Sequence, residues 1–465
     1  MIRLAISELR ADWRLWVGPL LVILTASAIS HLAITYWWSV GTPAAAPTLG
    51  ELGVGVDELR AGAYVLYISA GLPTIIVLGS VAATTVDAQR VRIARWRLSG
   101  ALPSQVRGVI LLQLFALSLA AAILGVLVSL PFTQPVVDVM MRMGTRTNTT
   151  ILAQPSWQAI GVTIALTIVL CMIGALRPAF RASRIPAVEA VRAETVAREG
   201  MTIGRWILAG LLVLFGLQQI FVSVVATFYL RDDAGLTNLG LTNAMMIGVL
   251  LVITMAVFAP LILSLVLRVW SAVVPPRLSV SWFLARYSTA SRLKSSTAAI
   301  TPLMVGVSLY GILFGILATW QASLAAAGSS DQLNFLDTYV MLTPAAIIAA
   351  VGSIATVFMT SRSREHEFAV LRSAGAQTRT VLGMTVAEAA LYTVTAVILA
   401  LVSITAAVLT IAGTLAVAGM PFTPRVDLSQ ALTLCALAFV GMVLAVAVPA
   451  ALSTRKSTRD NLAPQ

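Results

Sequence analysis

The sequence predicts an all-α polytopic membrane protein of about ten transmembrane helices, built as two parallel four-helix repeats joined by two extra helices. Three observations predict it. The composition is too apolar for water, apolar segments of membrane-spanning length recur along the whole chain, and the sequence resembles itself at a period of about 275 residues.

Of the 465 residues, 58% are hydrophobic and only 11% are charged, against roughly 25% charged in an ordinary soluble domain. The mean hydropathy is +0.92. A chain so short of charge has nowhere to bury its apolar surface except a bilayer. The two cysteines, Cys171 and Cys435, fall in separate apolar segments and share no motif with either histidine. They give neither a disulfide framework nor a metal site. The net charge of +12 is accounted for by cationic cytoplasmic loops rather than by nucleic-acid binding.

Apolar windows separated by charged or Pro/Gly-rich breaks place ten spans near 16–39, 63–84, 108–132, 158–177, 206–230, 243–267, 297–320, 338–360, 383–415 and 429–452. The first follows arginines but runs on to about Trp38 without a small-residue cleavage site, so it reads as an uncleaved span rather than a signal peptide. The ninth is long for one crossing, and Gly413 and Gly419 suggest that it bends or emerges into the outer loop. The loops near 40–62 and 133–157 can form small outer caps and no sizeable domain.

An even number of crossings puts both termini on one side. The loops on the amino-terminal side hold 26 of the 31 lysines and arginines, which makes that side cytoplasmic. The opposite loops carry Arg60, Arg142, Arg146, Arg231 and Arg425 against a larger number of acids, among them Glu51, Asp57, Asp138, Asp232 and Asp331. The expected location is a bacterial plasma membrane, with membrane lipids as partners.

The self-similarity is sharpest on the cytoplasmic side. Asp87 to Gln113, DAQRVRIARWRLSGALPSQVRGVILLQ, aligns without a gap on Arg362 to Glu388, RSREHEFAVLRSAGAQTRTVLGMTVAE. Arg97 then matches Arg372, Gly100 matches Gly375, Ala101 matches Ala376 and Gln113 matches Glu388. The ends of the fourth and tenth spans also correspond, Pro178 to Pro449 and Arg184 to Arg455, and a weaker match sets Glu8–Pro19 beside Ser291–Pro302. Residues 1–192 thus form a first four-span repeat, 193–280 a linker with two spans, and 281–465 a second repeat. Because the linker crosses twice, the repeats run parallel about an axis along the membrane normal.

Each repeated segment passes from charged residues through an amphipathic stretch to a glycine and into a span. A short interfacial helix ending on Gly100 or Gly375 as a C-terminal cap fits both copies. Such charges also greet anionic headgroups. A lipid anchor, however, needs no repeated Arg-x-x-Gly-Ala order followed thirteen residues later by an acid or amide.

The stretch EHEFAVLRSAGAQTRTVLGMTVAEAALY resembles the signature of the FtsX/MacB-like permeases of ABC transporters through Glu367, Phe368, Leu371, Arg372, Gly375, Ala376 and Glu388. The first copy departs from it, with Arg92, Ile93 and Gln113 at the positions of Glu367, Phe368 and Glu388. The segment RASRIPAVEAVR resembles the family's closing motif through Pro186, Ala190 and Arg192, with no matching proline after the tenth span. The resemblance implies cytoplasmic helices, 88–104 and 363–379, that dock on a separate ABC ATPase through Arg92, Arg97, Gly100, Ala101, Glu367, Phe368, Leu371, Arg372, Gly375 and Ala376. The ten-span layout looks like the fused type, including bacitracin-resistance-like permeases, in which one chain engages two ATPase subunits.

The chain contains no G-x-x-x-x-G-K-[ST] phosphate loop, no zinc helix and no nucleophile elbow. No enzymatic activity and no directly bound cofactor are expected; ATP and Mg would act through the partner. The implied function is export or extraction of an amphipathic substrate (peptide, antibiotic or lipid). A non-transporting regulator that transmits motion to an envelope partner is the alternative, and an ion-coupled secondary transporter ranks behind both. Gln113 and Glu388 stand at span entries. Glu388 snorkels to the cytoplasmic surface, pairs with Arg379 or takes part in ion coupling. His31 reads as a hydrogen-bonding residue of helix packing rather than a ligand.

Overall fold

A computed structural model of the chain describes residues 13–53, 55–145, 147, 149–184, 203–229, 235–275, 279–328, 336–426 and 428–454. Those residues are helices, turns and extended connections, with no strand among them. Among the described residues, seven helices are long and apolar enough to cross a membrane, and four shorter apolar segments accompany them. The ten predicted spans fall on these helices. The chain divides into two compact units, Met1–Ala197 with Tyr339–Met359, and Arg198–Thr338 with Thr360–Gln465.

Unit 1 contains α1 (Trp13–Val40), α2 (Ala46–Leu52), α3 (Val56–Ala88), α4 (Arg90–Leu98), α5 (Pro103–Ser129), α6 (Thr133–Thr145) and α7 (Trp157–Ser183). Its bundle is α1, α3, α5 and α7, packed around Ile23, Val77, Leu78, Ile110, Leu114 and Ala175. The second repeat contributes to this core. Ile348, Ala355 and Met359 of α13 (Leu336–Ser373) belong to the same cluster. Close approach of α1 and α5 depends on Gly125, where a Cβ would lie 2.8 Å from Ser27 Cβ and 3.0 Å from the Ala28 nitrogen. Small residues at such crossings let membrane helices meet backbone to backbone.

Along the same contact α1 presents Ser27, His31, Thr35 and Ser39, one every four residues and all fully buried. Ser27 Oγ donates to the Ala122 carbonyl at 3.0 Å. His31 Nδ1 lies 2.8 Å from Ser129 Oγ, and its Nε2 lies 3.4 Å from Thr35 Oγ1. Ser39 Oγ donates to the Thr35 carbonyl at 2.8 Å and accepts from the Gln154 N–H at 3.0 Å. The polar column is thus satisfied within the protein, as the hydrocarbon interior demands, and His31 is a packing hydrogen-bonder as read from the sequence.

Beyond Ser129 the third span ends in a single 3-10 turn, Leu130–Phe132, before α6 continues outward. Pro131 and Pro135 explain the break, since neither can donate to the preceding turn. The segments between α1 and α3 and beyond α5 then close into a small cap with its own core of Tyr36, Leu49, Leu59, Val137, Met140 and Met141. Gln134 holds the returning segment of this cap, with Nε2 donating to Asp138 Oδ1 at 2.6 Å and the Ile151 carbonyl at 3.0 Å, and Oε1 accepting from Ala153 N at 2.8 Å. Arg60 lies over the Trp37 ring, 4.4 Å from its centroid.

Unit 2 contains α8 (Ile203–Tyr229), α9 (Gly235–Val257), α10 (Ala259–Ser271), α11 (Val280–Ser291), α12 (Leu293–Ala326), the 360–373 end of α13, α14 (Thr378–Val417) and α15 (Ser429–Thr454). The sixth span, expected as one helix, is broken at Phe258, where Pro260 starts α10. The central pair is α12 with α14: Gly311 faces Ile404, and at Gly315 a Cβ would lie 2.7 Å from Val408 Cγ2. This GILFG spacing places both glycines on one face of α12. Towards the C-terminal end of α12, Thr319 Oγ1 donates to the Arg425 carbonyl at 3.0 Å and accepts from the Arg425 N–H at 3.1 Å.

The ninth span does not bend at Gly413. α14 runs unbroken for 40 residues, about 60 Å, and stops at Gly419, whose φ of +87° supplies the left-handed cap. The position of Pro131 is taken by Ala406 one period later, so nothing interrupts the hydrogen-bond ladder there.

Candidate functional site

The repeated charged segments form the same backbone turn twice. In unit 1, α4 ends at Leu98, Gly100 adopts φ +92°, and the Ala101 N–H bonds the Trp96 carbonyl at 2.9 Å. In unit 2, α13 ends at Ser373, Gly375 adopts φ +93°, and the Ala376 N–H bonds the Leu371 carbonyl at 3.0 Å. This six-to-one closure with a left-handed glycine is the Schellman cap. The next helix starts from the same extended residue in both, Leu102 at φ −71°, ψ 150° and Gln377 at φ −72°, ψ 152°. Both glycines are exposed, and a Cβ on either would meet nothing within 4 Å. Glycine is required there by conformation, not by crowding.

The two copies are anchored differently. In the first, a break at Gln89 separates α3 from α4, and Ile93 and Ala94 are fully buried in the unit 1 core with Trp96 and Ala101 packed beside them. Arg92 and Arg97 are half-buried, Arg95 is exposed, and Arg97 Nη1 donates to the Ala101 carbonyl at 2.8 Å, which braces the turn. In the second, no separate short helix exists: residues 363–373 are the end of the 38-residue α13. Phe368 is buried, and Leu371 packs against a cluster of Ala285, Met384 and Leu391 with Trp270 and Trp282. There α11 buttresses the turn, Ser281 Oγ donating to the Thr380 carbonyl at 3.1 Å. Glu367 and Arg372 lie on α13, with side chains outside the described residues.

One period apart, Gln113 and Glu388 are 1% and 2% exposed. Glu388 is therefore buried between helices and does not snorkel to the surface, while Arg379 is exposed. Gln113 has no hydrogen-bond partner for either side-chain polar atom among the described residues. The closing motif from Pro186 to Arg192, the amino-terminal segment with Glu8, and Arg455 lie outside the described residues.

A family model described as FtsX-like permease C-terminal matches residues 63–187 and again 339–462, more than half of the chain. The chain belongs to the FtsX-like permease family. It is a multi-pass membrane protein of the ABC-transporter permease type, with the repeat read from the sequence present as two family matches one period apart. Each match begins in the second span of its repeat, so the first and seventh spans lie outside it. No curated protein matches the chain.

Each match in this FtsX-like permease contains one of the two Schellman turns and the polar residue thirteen positions on. Sequence reading found the turns from glycine spacing. It missed the complete polar column on α1, although the four-residue spacing of Ser27, His31, Thr35 and Ser39 was there to be read.

Proposed function

We propose that this FtsX-like permease is the membrane subunit of an ABC transporter in a bacterial plasma membrane with both termini cytoplasmic, and that the turns at Gly100 and Gly375 dock a separate ATPase. Two ATPase subunits bind one chain. ATP and Mg act in those subunits, and the stroke drives export or extraction of an amphipathic substrate such as a peptide, antibiotic or lipid.

The observation that carries this reading is the duplicated turn: two exposed glycine caps of equal geometry, one period apart, on the side where the cationic residues concentrate. An exposed turn tied directly to the membrane helix that follows it transmits a push into that helix. In the first copy the push would enter α5 and, through the Ser129–His31 contact, α1. The close helix contacts at Gly125 and Gly311 favour a substrate path along lipid-facing surfaces over a water-filled pore.

The test is an affinity pull-down of the tagged chain from solubilised native membranes, comparing wild type with Arg372→Glu/Gly375→Asp and with Arg97→Glu/Gly100→Asp. A Walker-type ATPase should accompany the wild type, fall with each double variant and disappear when all four changes are combined. Failure of any ATPase to accompany the wild type in several detergents would sink the proposal. Equal recovery with the combined variant would retain the partner and remove the turns as its docking sites.

A further inference from the structure

The fifth span meets its neighbours through one face. On α8, Ala209 is buried, Leu212 and Gln219 are half-buried, and a Cβ at Gly216 would lie 3.0 Å from Leu250 Cδ2 of α9. The opposite face carries Gly204, Ile207, Leu211, Leu214, Gln218 and Phe221, spaced alternately three and four residues apart. Ile207, Leu211, Leu214 and Phe221 are 60, 59, 65 and 67% exposed, and Gly204 and Gln218 are exposed with them. A face with that spacing fits the a/d seam of two helices wound around each other.

An apolar stripe alone is satisfied by lipid, since acyl chains are as apolar as leucine. Gln218 is not. Its exposed amide sits eleven residues before Tyr229 and further still from Ile203, about 16 Å of helix from the nearer end, too deep for a short side chain to reach water. It forms no hydrogen bond among the described residues. An amide facing hydrocarbon without a partner is strongly disfavoured, so the occupant of this face supplies a donor and an acceptor at that depth.

We propose that the occupant is a second copy of this chain, whose α8 lies parallel against the stripe with the two Gln218 amides hydrogen-bonded across a two-fold axis. A glutamine amide is its own complement, carrying both donor and acceptor. Two copies insert with one topology, so residues of equal depth meet and a-position residues face a-position residues. A single polar residue at an a position fixes that register, and Gly204, with open space where a Cβ would be, permits close approach at one end of the seam.

Oxidative cross-linking of the full chain in native membranes tests this, with Leu211→Cys and Leu214→Cys on the seam and Val213→Cys, 48% exposed but off it. Cys171 and Cys435 are buried, which keeps the background low. The seam thiols should give disulfide-linked homodimers and the Val213 thiol none. In nanodiscs, Gln218→Leu should weaken the dimer about tenfold, the scale of one interhelical amide pair, and Gln218→Asn by less. Cross-links at 213 as strong as at 211, none at the seam, seam thiols joined to a different protein, or a dimer unaffected by Gln218→Leu would each overturn the proposal.

Discussion

Val77 of α3 and Gly352 of α13 touch, and they are one repeat period apart. Two copies of one helix that meet at the same residue pack symmetrically about it. Eight residues further on, Thr85 Oγ1 lies 3.7 Å from Met359 Sδ, so the two helices stay in near-equal register as they run side by side. The hydrogen of Gly352 is what makes room for the Val77 isopropyl group.

Replacing Gly352 with alanine should therefore destabilise the protein by about 1–3 kcal/mol, the usual range for an added methylene in a packed core. The change Val77→Ala in the same chain should recover most of it by vacating the space. Thermal unfolding of the two variants in detergent checks this; equal loss in both would mean that Val77 is not the obstacle.

Gly375→Ala should cost about 1–2 kcal/mol through its left-handed backbone alone, because no neighbouring atom stands where the Cβ would go. Gly210→Ala is the control. It is also open, but lies inside α8, where alanine should be neutral or gain up to about 1 kcal/mol. Opposite signs in the two melting shifts are expected, and a matching sign would refute the conformational account.

His31→Ala removes the ring that contacts both Ser129 and Thr35 in a buried setting. A loss of about 1–3 kcal/mol is expected, and hydrogen exchange should rise at Ser129 and through the 3-10 turn that follows it. Unchanged exchange there would mean that the α1 column does not hold this end of α5.

Gln113→Leu should raise the melting temperature. The amide is buried with neither polar atom paired among the described residues, and a similarly sized apolar side chain removes that penalty, about 1–2 kcal/mol. Should the variant melt lower instead, Gln113 has a partner in the working protein, and ATPase co-purification on the same variant tells whether the partner bears on docking.

The spans and the two turns were legible because each rests on consecutive residues. Twenty apolar residues span a bilayer whatever surrounds them, and a glycine at φ near +90° is dictated by its own missing Cβ, which is why Gly100 and Gly375 could be read as caps. The duplication was legible for the same reason, as an order of side chains along the chain. The continuous helix through Gly413 and the break at Phe258 were harder, since membrane helices bend at some glycines and prolines and run straight through others.

What the sequence by itself determined is an all-α, twice-repeated membrane protein of about ten spans with two equivalent turns, one per repeat. The tertiary structure alone decided which faces meet: that residues 339–359 join the core of unit 1, that Glu388 is buried rather than at the surface, and that α8 packs on one side only. The reason is physical. In water, hydropathy separates core from surface, but in lipid Phe314 at 2% exposure and Phe221 at 67% are equally at home. Only contacts between residues far apart in the chain tell a buried side chain from a lipid-facing one.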